Sequence, residues 1–158
     1  MSIDLTLFQK DLNYRGFKPE DWALLANDLE EMLFKAKSSV FKESDPGDGF
    51  YWIRQGKVRI SRLFIPEGKK KAQENLLTVL APGNIFGEMA LIDQAPRSAD
   101  ATTETDVVLL HLSYDKYKKL CQEHPSTAMA IQDILVRTLS TRIREANRSF
   151  ETIYFWCS

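Results

Sequence analysis

Phe86-Gly87-Glu88-Met89-Ala90-Leu91-Ile92-Asp93-Gln94-Ala95-Pro96-Arg97-Ser98-Ala99-Asp100-Ala101 is the stretch from which the rest of the chain is read. It follows Pro82-Gly83-Asn84, a turn signal. Its first half is too short and mixed for a strand, and Glu88 to Leu91 suit one helical turn. The start of such a helix leaves backbone N–H groups unpaired, and these favour an anion. Gly87 lets a ligand approach the backbone closely. Arg97 is a planar cation with a fork of donors, the shape of a phosphate partner. Ser98 adds a hydroxyl donor and Glu88 an acceptor for a sugar hydroxyl. A phosphate ester with a free ribose hydroxyl uses all of these groups at once. A plainer reading stays open: Glu88 and Arg97 pair across a surface loop, an arrangement that contributes little.

On the N-terminal side, Val58 and Ile60 alternate with Lys57, Arg59 and Ser61, the period of a half-buried strand. Leu76 to Leu80 and Val107 to Leu112 are further strand candidates. Turn chemistry separates them at Asp45-Pro46-Gly47-Asp48-Gly49, Gln55-Gly56, Pro66-Glu67-Gly68 and Glu104-Thr105-Asp106. Short strands at this spacing predict an antiparallel sandwich or barrel over residues 37–112. Lys69-Lys70-Lys71 beside a turn reads as a solvated hairpin tip rather than a polyanion contact.

Helical spacing flanks this zone. Pro19-Glu20-Asp21 is a helix start, and Trp22, Leu25, Leu29 and Met32-Leu33 make one apolar stripe, so residues 5–34 read as helical. Ser113 is a candidate N-cap for a helix through Tyr114, Tyr117, Leu120 and Cys121, with Cys121 expected as a buried thiol. Pro125 ends that helix, and Ser126 caps a second one running to about Asn147. In that last helix Ile131, Ile134 and Leu135 suit either a dimer seam or packing on the barrel. Thr138, Thr141 and Arg142 interrupt any clean heptad, which favours packing.

The chain has 158 residues, one domain with room for a real core. Twenty-one Lys+Arg against 22 Asp+Glu give a net charge of -1, which excludes a generally basic nucleic-acid binder. No run of about 18 apolar residues suggests a membrane span, and the N-terminus does not read as a secretory signal. Cys121 and Cys157 are too few for a disulfide framework or a thiolate metal site, so a cytoplasmic location is expected. His111 and His124 do not fall in metal-ligand spacing with them, and neither a phosphate-binding loop with a Lys nor a nucleophile elbow is present. No metal, no catalytic cofactor and no enzymatic activity are expected.

The run from Phe86 resembles the phosphate-binding cassette of the cyclic nucleotide-binding domain family, which includes bacterial catabolite activators and regulatory subunits of cyclic-AMP-dependent kinase. Phe86-Gly87-Glu88, Met89-Ala90-Leu91 and Pro96-Arg97-Ser98-Ala99 follow its pattern without a gap. Asp45-Pro46-Gly47-Asp48 through Val58-Arg59-Ile60 looks like the family's hairpin, and Leu77 to Gly83 like the strand entering the cassette. The likeness covers roughly residues 15–147.

The resemblance implies a mainly β fold, an eight-stranded antiparallel jelly-roll barrel with N-terminal helices and two C-terminal helices. It divides one domain, 1–158, into helices (1–36), barrel (37–112) with cassette (86–101), helices (113–150) and tail (151–158). It implies cAMP or cGMP as ligand, held by Phe86, Gly87, Glu88, Met89, Ala90, Arg97, Ser98 and Ala99. Arg97 would pair with the cyclic phosphate and Glu88 would accept the ribose 2'-hydroxyl. Ser98 and the backbone at Gly87, Met89, Ala90 and Ala99 would add contacts. Ser98 leans towards cAMP. Tyr154, Phe155 or Trp156 could stack on the base as a lid. A DNA-reading helix-turn-helix, a kinase domain and membrane spans are not read here. The expectation is therefore a stand-alone sensor without a DNA-binding domain or membrane partner, acting through an effector protein or self-association of the C-terminal helix. The alternative is a ligand-free structural or protein-interaction module on the same barrel. A phosphodiesterase and an iron–sulfur sensor are both disfavoured by the scarcity of metal-ligating residues.

Overall fold

A computed structural model describes residues 3–11 and 14–156, with side chains described through residue 148. Short helix α1 (Thr6–Gln9) and helix α2 (Pro19–Asp28) lead into eight strands. These are β1 (Glu30–Phe34), β2 (Ser39–Phe41), β3 (Gly49–Gln55), β4 (Val58–Phe64), β5 (Gln73–Leu80), β6 (Ile85–Phe86), β7 (Asp100–Thr103) and β8 (Val107–Ser113). Helix α3 (Glu88–Asp93) lies between β6 and β7, and α4 (Tyr114–Glu123) and α5 (Pro125–Trp156) follow β8. The strands form two four-stranded antiparallel sheets, ordered β1-β8-β3-β6 and β2-β7-β4-β5. This is the jelly-roll arrangement, as two facing sheets.

Strand β3 explains how the layers stack. Its residues from Gly49 to Ile53 are all buried, because it has a covered face on each side. Successive side chains point opposite ways. Tyr51 and Ile53 join Val58, Leu80, Phe86, Ala101, Val107 and Leu109 between the sheets. Phe50 and Trp52 join Leu25, Leu112, Leu120, Ile131 and Leu135 under the helices. Ile131, Ile134 and Leu135 are thus core residues of their own domain and not a dimer seam.

Several sequence expectations change here. Met32 and Leu33 lie in β1, not in a helix, because Glu30–Phe34 pairs antiparallel with β8, Met32 opposite Leu109. The strand zone therefore begins at Glu30, inside the stretch expected to be helical. Pro125 opens α5 rather than merely ending α4, so Ser126 is inside the first turn and not its cap. Helix α5 also continues past Asn147. Cys121 is exposed: the buried stripe of α4 is Tyr117 and Leu120, and the next residue turns out to solvent. Cys157, and the side chains of Tyr154, Phe155 and Trp156, lie outside the described residues.

Other local signals are realised. Ser113 caps α4, its side chain accepting from Lys116 N at 3.4 Å. Asp21 caps the start of α2 by accepting from Lys18 N at 2.7 Å. Lys69 to Lys71 are exposed in the loop joining β4 to β5.

Candidate functional site

All eight residues expected to hold a ligand line a single cavity of about 890 Å³. Strand β6 and helix α3 form one wall, the segment from Arg97 to Ala99 another, and α5 a third through Ile134, Arg137, Thr138, Thr141 and Arg142. Gly87 makes the corner between β6 and α3 with φ +74°, a left-handed conformation that favours glycine. A Cβ there would also stand 2.6 Å from Arg97 Nη1. The glycine thus permits both the turn and the approach of the guanidinium.

Arg97 is 4% exposed. Its Nη1 donates to the carbonyls of Gly87 at 2.7 Å and Gly49 at 2.9 Å, and its Nη2 donates to Asp48 Oδ1 at 2.7 Å. Its Cζ lies 4.2 Å from the centre of the Phe41 ring and 5.7 Å from that of Tyr51. Two carbonyls and an aromatic face hold the cation in one orientation. Its one carboxylate partner among the described residues, Asp48, has a side chain 65% exposed, so water screens that pair and can replace it cheaply. Arg97 Nε is buried and has no hydrogen-bond partner among the described residues.

Glu88 is 2% exposed, and its carboxylate accepts from Arg142 Nη1 of α5. The second fork of Arg142 donates to the Ile85 carbonyl. The two residues first considered as a surface pair therefore do not meet. Glu88 pairs with Arg142 and Arg97 with Asp48, and both Glu88 and Arg97 are buried. Ser98 and Met89 sit at the exposed rim, Ser98 Oγ 3.7 Å from the Met89 sulfur. Phe86 is buried against Tyr51, rings 5.1 Å apart and nearly parallel, and Ala90 and Ala99 are buried small residues that leave space in the cavity.

Sequence reasoning missed Phe41, Asp48, Tyr51 and Arg142. The signal for Arg142 was present: a charged residue breaking the apolar pattern of a packed helix. The others become neighbours of Arg97 only through the sheet pairing.

Beneath Arg97, His111 of β8 stacks on Tyr51 at 4.6 Å, with Nε2 3.7 Å from Asp48 Oδ1. Burial pushes the His111 pKa below its ordinary 6.5, against the opposing pull of Asp48 and Glu30. The folded state thus prefers neutral imidazole. Its contribution to stability is intact above about pH 6.5, the unfolded value, and is lost as pH falls through the lower folded value. The melting temperature should fall between pH 7 and pH 5, and His111→Gln should flatten that part of the profile. A slope unchanged by His111→Gln would assign the pH effect to other groups.

A family model described as "Cyclic nucleotide-binding domain" matches residues 31–124. The "CRP-like cAMP-activated global transcriptional regulator" of Mycobacterium tuberculosis is 34% identical over 142 residues, 90% of this chain and 59% of that protein. The "cAMP-dependent protein kinase regulatory subunit" of Aspergillus fumigatus is 34% identical over 105 residues, 66% of this chain and 24% of that protein. Among solved structures, the Thermus thermophilus catabolite activator protein superposes with a TM-score of 0.71 at 32% identity, covering 90% of this chain and 63% of that one. A cyclic nucleotide-binding domain from Methylobacillus flagellatus gives a TM-score of 0.77 at 26% identity, covering 84% and 72%. The chain spans about three fifths of the length of the bacterial regulators it matches. No described helix is long and apolar enough to cross a membrane. With two facing four-stranded sheets, the cassette around Arg97 and a family match over residues 31–124, the chain belongs to the cyclic nucleotide-binding domain family.

Proposed function

We propose that this domain binds a cyclic nucleotide, cAMP in preference to cGMP, as a cytoplasmic regulatory sensor with no catalytic activity of its own. The observation that carries the reading is Arg97: a buried, oriented cation on the cavity wall, with one donor unpartnered among the described residues and one carboxylate partner that solvent reaches. A buried donor left unmade costs about 1–3 kcal/mol, and a cyclic phosphate would supply acceptors there. Glu88 would accept the ribose 2'-hydroxyl, Ser98 and the backbone of Gly87, Met89, Ala90 and Ala99 would add contacts, and Phe86 would hold the cassette to the sheet. The word "cAMP-activated" in the mycobacterial relative's name and Ser98 beside Arg97 favour cAMP.

The signal would leave through an effector chain or through self-association along α5. Met129, Val136 and Ile143 recur every seven residues on α5 and are 68%, 59% and 61% exposed. This stripe suits a helix-to-helix seam and differs from the buried stripe that packs on the domain.

Calorimetric titration of nucleotide-stripped protein with cAMP and then cGMP tests the proposal. Saturable one-site binding, tighter for cAMP, is expected. A second reading, a ligand-free interaction module, draws on the internal partners that both Glu88 and Arg97 already have. Absence of binding heat from folded protein with either nucleotide would favour that reading.

A further inference from the structure

Two consecutive residues, Asp48 and Gly49, connect Arg97 to a second titratable side chain. Arg97 donates to the Gly49 carbonyl at 2.9 Å and to Asp48 Oδ1 at 2.7 Å. The same Oδ1 lies 3.7 Å from His111 Nε2. That separation is just beyond hydrogen-bond length. His111 is 8% exposed, and its Nε2 is buried with no hydrogen-bond partner among the described residues. A buried polar atom left in this way is uncommon in a folded protein and asks for a reason. A Cβ on Gly49 would stand 2.7 Å from Nε2, so only a glycine leaves this side of the ring unobstructed.

The ring is fixed and the carboxylate is not. His111 stacks on Tyr51 of β3 with centroids 4.6 Å apart, whereas the Asp48 side chain is 65% exposed and free to turn. The other charged groups facing the imidazole are Glu30, opposite it on β1, Arg97 beside the cassette and Lys116 of α4. The two cations oppose its protonation and the carboxylates of Asp48 and Glu30 favour it. Among the described residues, only Asp48 brings a carboxylate oxygen within 4 Å of a ring nitrogen of His111.

We propose that His111 is a positioning residue for the nucleotide phosphate: protonated, it takes Asp48 over from Arg97, so that phosphate binding takes up a proton and tightens as pH falls. The inference rests on the reading of the cavity as a cyclic-nucleotide site. With a neutral imidazole, Asp48 stays on Arg97 and competes with the phosphate. A proton on Nε2 makes that nitrogen a charged donor towards Oδ1, and Arg97 Nη2 is released to a phosphate oxygen. Two cations, Arg97 and the imidazolium, then face two anions, the phosphate and Asp48, and no buried charge is stranded. Coupling is reciprocal, so the bound phosphate holds the proton on His111 as firmly as the proton favours the phosphate. Acid thus has opposite effects on two properties of the domain: it weakens the fold through His111 and strengthens ligand binding through the same ring.

Calorimetric titration with cAMP at about pH 8 and about pH 5.5 tests this, on either side of the ordinary histidine range. The cyclic phosphate keeps its single negative charge throughout, so the protein supplies the slope. The wild type should bind about fivefold more tightly at the lower pH, the small end of the usual coupling range. Titrations near pH 6 in two buffers of different ionisation enthalpy should show part of a proton taken up per nucleotide, and none near pH 8. This measurement needs no variant. His111→Gln should abolish both the slope and the uptake while still binding cAMP, and a thermal melt alongside confirms that it is folded. Asp48→Asn should also flatten the profile, because the imidazolium then has no carboxylate to take. Binding that is equally tight at both pH values, with no proton uptake, overturns the coupling and leaves the nucleotide site standing. A slope that persists in folded His111→Gln, or in Asp48→Asn, overturns the handover of Asp48. No binding at either pH removes the nucleotide reading and this inference together.

Discussion

Arg97→Ala is expected to weaken cAMP binding by about a thousandfold, the loss typical of removing one partner from a buried, hydrogen-bonded charge pair. The argument rests on where the guanidinium sits. It is nearly inaccessible, held on two carbonyls and lying over the Phe41 ring, so its orientation is set before any ligand arrives. A phosphate meeting it avoids the entropy of ordering a long side chain. Arg97→Lys should recover only part of the affinity, because an ammonium is a point charge that cannot fork between carbonyl and phosphate. Glu88→Ala should cost less, about tenfold, since it removes a hydroxyl acceptor rather than the phosphate's countercharge. Calorimetry on the three variants gives the order directly. A thermal melt run alongside separates lost binding from lost folding. Wild-type affinity in a folded Arg97→Ala protein would sink the assignment of the site.

The second large effect belongs to Arg142. Its partner Glu88 is 2% exposed, while the Arg142 side chain itself is about one-third exposed. Removing the exposed member strands the buried one. Arg142→Ala should therefore destabilise the domain by about 3 kcal/mol, the lower part of the range for breaking a buried pair. The Ile85 carbonyl loses its donor in the same substitution. The double variant Arg142→Ala/Glu88→Gln should regain part of that stability, because the stranded charge is gone. Chemical denaturation of wild type, both single variants and the double variant closes the cycle. Additive losses would mean that the pair contributes little beyond its separate packing.

These two arginines differ in how legible they were from sequence. The cassette could be read because its chemistry is local: Gly87, Glu88 and Arg97 fall within a dozen residues, and each type has a narrow use. Arg142 lies 54 positions from Glu88, and only the fold brings them together. Strand β1 failed for a related reason. Met32 and Phe34 are half-buried and alternate with exposed Glu31 and Leu33, yet Leu33, 73% exposed, looks apolar on paper and completes a helical stripe begun by Trp22. Pairing with β8 overrides that local pattern. Cys121 was misplaced by one step around a helix, the margin by which periodicity distinguishes a buried face from a wet one. The sheet zone was easier. Turn residues divide it at short intervals, and β4, β5 and β8 carry enough apolar side chains to be recognised without their neighbours, whereas β3 was reached only through the family resemblance.

Helix α5 has 32 residues, about 48 Å of nearly rigid rod. Its first turns are sunk in the core at Ala128, Ile131 and Leu135, and its middle is fastened to the cavity by Arg142. About 20 Å of helix extends beyond that fastening. A rod fastened in this way could act as a lever with its fulcrum at the cavity. A tilt of about 10° at Arg142 sweeps the far end through roughly 4 Å on that length of rod. A displacement too small to rebuild the sheets is thus enough to carry the backbone at the far end by about the width of an atom.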